Sequence, residues 1–376
     1  MKIRIERDAL AEAVAWAART LPSRATLPVL SGLHLTADGD IVTVSSYDHD
    51  VSARIAVAAT VLEPGSTLVS GRLLADIARS LPGAPVTLDT EGSRVAITCG
   101  RAAFTLPTLP IEEYPQLPSM PESSGTLPGS LFAAAVAQVA VAPSRDDTLP
   151  TLTGIRMEFV GTSLVMAATD RYRLAVRELA WQPESDDVNE CALVLARTLA
   201  DTAKSLAGAD LVHLALGSQG QASGLMGFEG AGRRTTTRLL DGEFPKYRSL
   251  LPSEIASSAR VDTSMMAEAV KRVALVAERN TPVRLAFRAQ ELVLHAGTGE
   301  DAQASEAVEC TLQGDDIEIA FNPAFLLDGL ASVDRPVAHF AFTDPAKPAV
   351  LTGLAEAGEA PTQEYRYLLM PVRLTG

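Results

Sequence analysis

A repeat of about 125 residues constrains this chain more than any other feature. Residues 68–82 (LVSGRLLADIARSLP) return as residues 193–207 (LVLARTLADTAKSLA), and a weaker third copy begins at Ile319 (IAFNPAFLLDGL). Asp76, Asp201 and Asp328 fall at equivalent places, and each copy reads as a short apolar strand, a polar or Gly/Pro junction and a helix. A second unit opens each third of the chain: residues 8–14, 130–136 and 264–270 all end in a matching apolar helical face. In the last of these, Met266, Ala269, Val270, Val273 and Ala277 follow the i, i+3, i+4, i+7 stripe of a helix packed on a sheet. Alternating strands follow the openers, as at residues 41–46 and 164–168. The exits also match, residues 104–115 resembling residues 237–245. Linkers rich in Pro and Ser at residues 118–129 and 252–258 separate the copies. The pattern predicts three α+β domains, over residues 1–120, 127–252 and 258–376.

Composition narrows the chemistry. Hydrophobic residues make up 47% and charged residues 21%, which suits a globular chain. No apolar run approaches the roughly 18–20 residues of a membrane helix, and the first residues alternate charge and Ile like a strand. A cytoplasmic protein is expected, with no membrane partner. Cys99, Cys191 and Cys310 lie far apart with no CxxC spacing, and His34, His49, His213, His295 and His339 are equally scattered. No metal or cofactor is implied. Thr169-Asp170 lacks an accompanying His or second carboxylate, and residues 229–232 (EGAG) are too short for a phosphate loop, so no catalytic residue is assigned. The net charge of −14 means that any nucleic-acid binding needs positive charge segregated onto one surface.

Four motifs then stand out in order along the chain: residues 24–30 (RATLPVL), 169–175 (TDRYRLA), 244–248 (FPKYR) and 367–374 (YLLMPVRL). On this triplicated background they make the whole chain resemble the β sliding clamp of bacterial DNA polymerase III, in an actinobacterial style. The resemblance implies a non-enzymatic processivity factor: a head-to-tail homodimeric ring, with helices lining the hole and antiparallel sheets outside, that holds duplex DNA topologically.

The resemblance also distributes roles. Arg72 and Arg79 are seven residues apart and share a helical face, and Arg197 and Lys204 repeat that spacing. With Arg24, Lys271, Arg272 and the later Arg279, they are the expected DNA-facing cations, meeting phosphates without base readout. The implied peptide cleft matches Leu152, Thr169, Arg171, Tyr172, Arg173, Leu174, Pro245, Leu250, Leu368, Met370, Pro371 and Arg373. Leu, Pro and Met would give an adaptable apolar floor, and the arginines would offer donors to peptide carbonyls or carboxylates. Its ligands would be short motifs of the polymerase III alpha subunit, the clamp loader and repair polymerases. Phe104 and Leu106 would face Leu275 and Val276 of a second copy. Ser249 and Leu250 depart from common family residues, which points to a somewhat specialised cleft. The alternatives are a paralogous clamp that evades a clamp-binding inhibitor, and a clamp-like scaffold that no longer encircles DNA.

Overall fold

The computed structural model describes every residue except 23, 218–222, 253, 278–280, 298–301, 357, 360–363 and 374–376. Among the described residues six α-helices recur in pairs: α1 (Arg7–Ala17), α2 (Gly71–Ser80), α3 (Gly129–Val139), α4 (Ala196–Leu206), α5 (Thr263–Val273) and α6 (Pro323–Val333). These are the helices the repeat predicts, and the strand before each even-numbered helix is present too: Gly65–Ser70, Asn189–Leu195 and Ile317–Phe321.

Local chemistry sets several boundaries. The Asp262 carboxylate accepts the Met265 N–H at 2.8 Å and caps α5. Asn322 caps α6 in the same way, with Pro323 at its first position. On α5 the stripe Met266, Ala269, Val270 and Val273 is buried, and the helix ends there, so Ala277 lies beyond it. The linkers are less irregular than expected: Gly125–Leu127 is a strand, and the strand Ser257–Asp262 begins inside the second linker.

By contacts the chain forms two compact units, Met1–Ser130 with Thr202–Leu239, and Leu131–Asp201 with Leu240–Gly376. The first unit holds a five-stranded antiparallel sheet in the order Thr60–Glu63, Lys2–Ile5, Val86–Glu91, Arg94–Cys99, Ala102–Pro107. A second sheet there runs Gly125–Leu127, Val212–Leu216, Leu225–Gly230, Arg233–Arg238, Val51–Ala58, Ile41–Tyr47, Gly32–Asp38, Gly65–Ser70. Helices α1 and α2 bury Leu10, Val14, Leu74 and Ala78 in a core shared with Ile3, Leu35, Val44, Leu88 and Ile97. The second unit contains one twelve-stranded sheet: Asn189–Leu195, Gly154–Val160, Ser163–Thr169, Arg173–Ala180, Tyr365–Leu369, Ala349–Leu354, Val337–Phe342, Ser257–Asp262, Ala304–Gln313, Glu291–Ala296, Val283–Phe287, Ile317–Phe321.

Each unit therefore joins strands of two successive repeats, and the junctions are equivalent. Val51–Ala58 of the first repeat pairs with Arg233–Arg238, the last strand of the second, with Arg234 opposite Arg54. Arg173–Ala180 of the second pairs with Tyr365–Leu369, the last strand of the third, with Leu174 opposite Leu368. The corresponding slots that remain are the last strand of the first repeat, Ala102–Pro107, and residues 304–309 of the third. Among the described residues, each is paired along one side only.

Candidate partner-docking site

The matched cleft residues all fall within the second unit, around the Leu174–Leu368 strand pair. The tight turn between Ser163–Thr169 and Arg173–Ala180 is held by its own side chains. Asp170 accepts the backbone N–H groups of Tyr172 and Arg173 at 3.0 and 3.1 Å. The Thr169 hydroxyl donates to the Arg173 carbonyl at 2.6 Å and accepts the Arg171 N–H at 3.2 Å. Arg171 itself adopts φ 78°, the left-handed region that a non-glycine residue enters at a cost, here offset by that hydrogen-bonded turn.

Arg173 does not have the role its residue type suggests. Only 6% of its side chain is exposed, and it reaches Asp170 at 2.9 Å and Asp328 of α6 at 2.5 Å. Its guanidinium also lies 4.4 Å from the centre of the Phe325 ring. Burial opposes its charge, but Tyr367, Asp328 and Asp170 together outweigh that and raise its pKa. A guanidinium so engaged anchors the turn to α6, which corrects the expectation of a free donor for a peptide. Arg171 and Arg373 are exposed, by contrast. The helix comes close because Gly329 has no side chain: a Cβ there would stand 2.5 Å from the Tyr367 ring. The Tyr367 hydroxyl donates to the Phe325 carbonyl at 2.9 Å, fixing the final strand against α6.

That strand ends at Leu369, and the Met370 N–H donates to the Tyr172 carbonyl at 2.9 Å, so Met370 emerges beside Tyr172. Beneath them Leu174, Leu193, Phe244, Tyr247, Val350 and Leu368 form a buried cluster. Tyr247 opens a short 3-10 turn, Tyr247–Leu250, that carries Leu250 out to 49% exposure. The turn is fastened underneath by Glu158, which is 7% exposed and accepts from Arg156 at 2.7 Å, from Tyr247 at 3.3 Å and from Arg248. Burial, with the Glu158 charge beside it, pushes the Tyr247 phenol up to about 12. Ser249 donates to the Lys246 carbonyl at 2.8 Å, closing the turn.

The site thus divides into support and rim. Leu152, Thr169, Leu174 and Leu368 are buried; Tyr172, Pro245, Leu250 and Met370 are exposed, and Pro371 is half-buried. Sequence reading missed Phe325, which stacks on Tyr172 at 6.2 Å, and the Glu158 fastening. It also missed Val372, which is 37% exposed. The FPKYR motif signalled the Tyr247 turn, but nothing local signalled its partners some 90 residues away.

The expected cations lie on helical surfaces. Arg72 and Arg79 are exposed on α2, Arg197 and Lys204 on α4, and Arg24 is exposed in its loop. Arg72 donates to the Pro22 carbonyl at 3.0 Å. Lys271 and Arg272 are exposed but paired, the first with Glu268 at 2.8 Å and the second bidentately with Glu306 at 2.6 and 2.9 Å. Arg279 lies outside the described residues. Of the expected dimer contacts, Leu275 is 83% exposed, Phe104 38% and Val276 half-buried. Leu106 is the exception: it is 1% exposed, inside the first repeat's own core. Alternation along Ala102–Pro107 sends it to the face opposite Thr105 and Pro107, so it supports that edge strand rather than presenting itself.

Comparison with known proteins decides the family. Residues 1–118, 126–246 and 248–373 match, in order, the N-terminal, central and C-terminal domains of the DNA polymerase III beta subunit. The chain belongs to that family. It is 58% identical over its whole length to the beta sliding clamp of Streptomyces coelicolor, all of which is covered. It is 46% identical to the beta sliding clamp homolog GriR of Streptomyces muensis, covering 99% of each chain. Among solved structures, a Pseudomonas aeruginosa DnaN sliding clamp bound to griselimycin superposes with a TM-score of 0.91 at 28% identity, each chain fully covered. The fold is accordingly three clamp domains of antiparallel sheets and paired helices, and the function is that of a DNA polymerase III sliding clamp in DNA replication. This is a family of processivity factors, not known as enzymes. Among the described residues no helix is long and apolar enough to cross a membrane.

Proposed function

We propose that two copies of this chain join head to tail into a ring around duplex DNA, and that the ring docks short peptide segments of its partners at the Tyr172–Leu250–Met370 rim. The observation that carries the ring is the repeated junction. Two of three equivalent slots are filled within the chain, by Arg233–Arg238 against Val51–Ala58 and by Tyr365–Leu369 against Arg173–Ala180. The third slot is residues 304–309, and among the described residues the element of the matching type left over is Ala102–Pro107. Joining them between copies continues the same rule and covers the two edges left open at Ala102–Pro107 and residues 304–309. Leu275 and Phe104 would then be covered, with Val276 beside them and Leu106 backing the strand. Three domains per copy, over residues 1–120, 127–252 and 258–376, give six per ring.

Arg24, Arg72, Arg79, Arg197, Lys204, Lys271 and Arg272 would face the duplex and meet phosphates loosely, as sliding requires. Lys271 and Arg272, already paired with glutamates, contribute less. At the rim, an apolar segment of the polymerase alpha subunit, the clamp loader or a repair polymerase would cover Tyr172, Leu250, Met370 and Pro371, with Arg171 and Arg373 at its margins. The protein works in the cytoplasm, alongside the replication machinery. The whole-chain identity to the S. coelicolor clamp exceeds that to GriR, which favours the replicative role over a specialised paralogue.

The test is loading. Labelled protein is placed on nicked circular DNA with clamp loader and ATP, freed of excess by gel filtration, and the circle is then cut. Retention on the circle and release on linearisation is the expected result. Failure to be retained, with a loader that loads a control clamp, leaves only a clamp-shaped scaffold.

A further inference from the structure

On the larger sheet of the first unit, one row of side chains crosses five neighbouring strands. His34 lies opposite Ser45, Ser45 opposite Arg54, Arg54 opposite Arg234, and Arg234 opposite Glu229. Residues directly opposite in an antiparallel ladder share a face, and like charges so placed destabilise the pair. Arg54 and Arg234 do just this in a chain whose net charge is −14. Glu229 neutralises Arg234 at 2.7 Å, but among the described residues Arg54 has no ion-pair partner. Burial, reinforced by Arg54, pushes the His34 imidazole down, so the imidazole adds little positive charge of its own.

This row floors a groove of about 1070 Å³. Its wall is the segment that follows the strand Ala102–Pro107, from which Ile111, Tyr114, Pro115 and Leu117 line the space, and Tyr114 packs its ring on His34 at 5.7 Å. At about 4.8 Å per strand the row is roughly 19 Å long, the reach of about six extended residues. An unmatched arginine at the centre, a second arginine beside it and an apolar wall along one side define the occupant by complementarity.

We propose that this groove binds a short extended peptide segment of a partner protein in which acidic and apolar side chains alternate. Its carboxylates lie on Arg54 and Arg234, and its apolar side chains lie against Ile111, Tyr114 and Leu117. An alternating segment suits the site because successive side chains of an extended chain point to opposite sides. The bound carboxylate also relieves the repulsion between the two arginines, so charge-assisted hydrogen bonds gain more here than at an isolated surface cation. The groove is lined wholly by residues of the first unit and shares none with the Tyr172–Leu250–Met370 rim.

The test uses the full-length protein and a blocked, fluorescein-labelled hexapeptide of alternating Asp and Leu, read by anisotropy. Saturable binding should weaken at least about tenfold in Arg54→Gln and with rising salt, and should be unchanged in Met370→Ala. Arg54→Gln removes an exposed, unpaired charge and so keeps the fold; Thr36→Trp, which fills the groove without altering charge, is the second variant and should also abolish binding. Binding that persists in both variants, or no binding at millimolar peptide, would overturn the proposal. Equal binding of a scrambled peptide with its Asp residues clustered, or full competition by inorganic phosphate at matched ionic strength, would reduce the groove to a simple anion site and equally overturn it.

Discussion

Helices α2 and α6 occupy the same slot of the repeat, yet they carry opposite chemistry. Helix α2 buries Leu74, Ile77 and Ala78 and presents Arg72 and Arg79 to solvent. Helix α6 has no basic residue; its one acid, Asp328, is bound to Arg173, and Gly329 lies against Tyr367. One slot presents charge, and the other is the footing of the proposed docking rim. The same turn toward protein contacts shows in α5, whose Arg272 is tied to Glu306 and whose following turn exposes Leu275. The fold fixes where a helix goes, and its neighbours decide what it does.

The widest gap between the two helices should appear in stability. Arg173→Ala removes a buried guanidinium and leaves the half-buried Asp170 without its ion-pair partner, a loss that approaches the roughly 3–5 kcal/mol of breaking a buried pair. Arg72→Ala, on an exposed face, should stay within about 0.5 kcal/mol. Urea unfolding of both variants checks this, and equal losses would erase the distinction. Next in size is the third repeat's protein-facing end. Covering an exposed leucine stabilises by about 1.5–3 kcal/mol, so Leu275→Asp should weaken self-association by about 100-fold, measured by sedimentation. An unchanged dimer would separate Leu275 from the seam.

Tyr172 stacks on Phe325 of α6 and is otherwise open. Tyr172→Ala should reduce the affinity for a clamp-binding peptide about tenfold while leaving urea stability nearly unchanged, as calorimetry alongside unfolding would show. A large stability loss instead would make Tyr172 part of the footing. The smallest effect concerns DNA. In a two-copy ring Arg72→Ala and Arg197→Ala should each lower the slope of log affinity against log salt by up to about 1.8, about 0.9 for each copy, while Arg272→Ala, already paired with Glu306, should lower it less. Equal slopes for all three would mean that the carboxylate does not hold Arg272 back.

How much of this could be read from residues alone depends on the distance over which each feature is written. The helices and the α5 stripe from Met266 to Val273 are local, and they stand where the periodicity puts them, with Ala277 falling beyond the helix. Three of the four motifs, residues 169–175, 244–248 and 367–374, supply most of the residues matched to the proposed cleft in contiguous pieces, whereas residues 24–30 lie in the first unit. What could not be read was the partner at long range. Arg173 looks like a free donor until Asp328, 155 positions later, is brought beside it. Leu106 looks like an interface residue beside Phe104, and the two share a face of the strand, but Leu106 is 1% exposed within the first repeat's core while Phe104 is 38% exposed. Nor does the repeat reveal that its strands join sheets across repeat boundaries; that emerges only from register.

The turn at Thr169–Arg173 and the Glu158 fastening have one more consequence, which concerns how such a site can change over generations. Tyr172, Leu250 and Met370 hang from backbone held in place by other side chains, so altering them removes little that the fold depends on. Selection by a small molecule that occupies the rim can therefore act on three or four positions without first requiring a stabilising change elsewhere. The anchors beneath, Arg173, Asp170 and Glu158, have no such freedom. Resistance in this chain should arise at the rim, leaving the footing untouched.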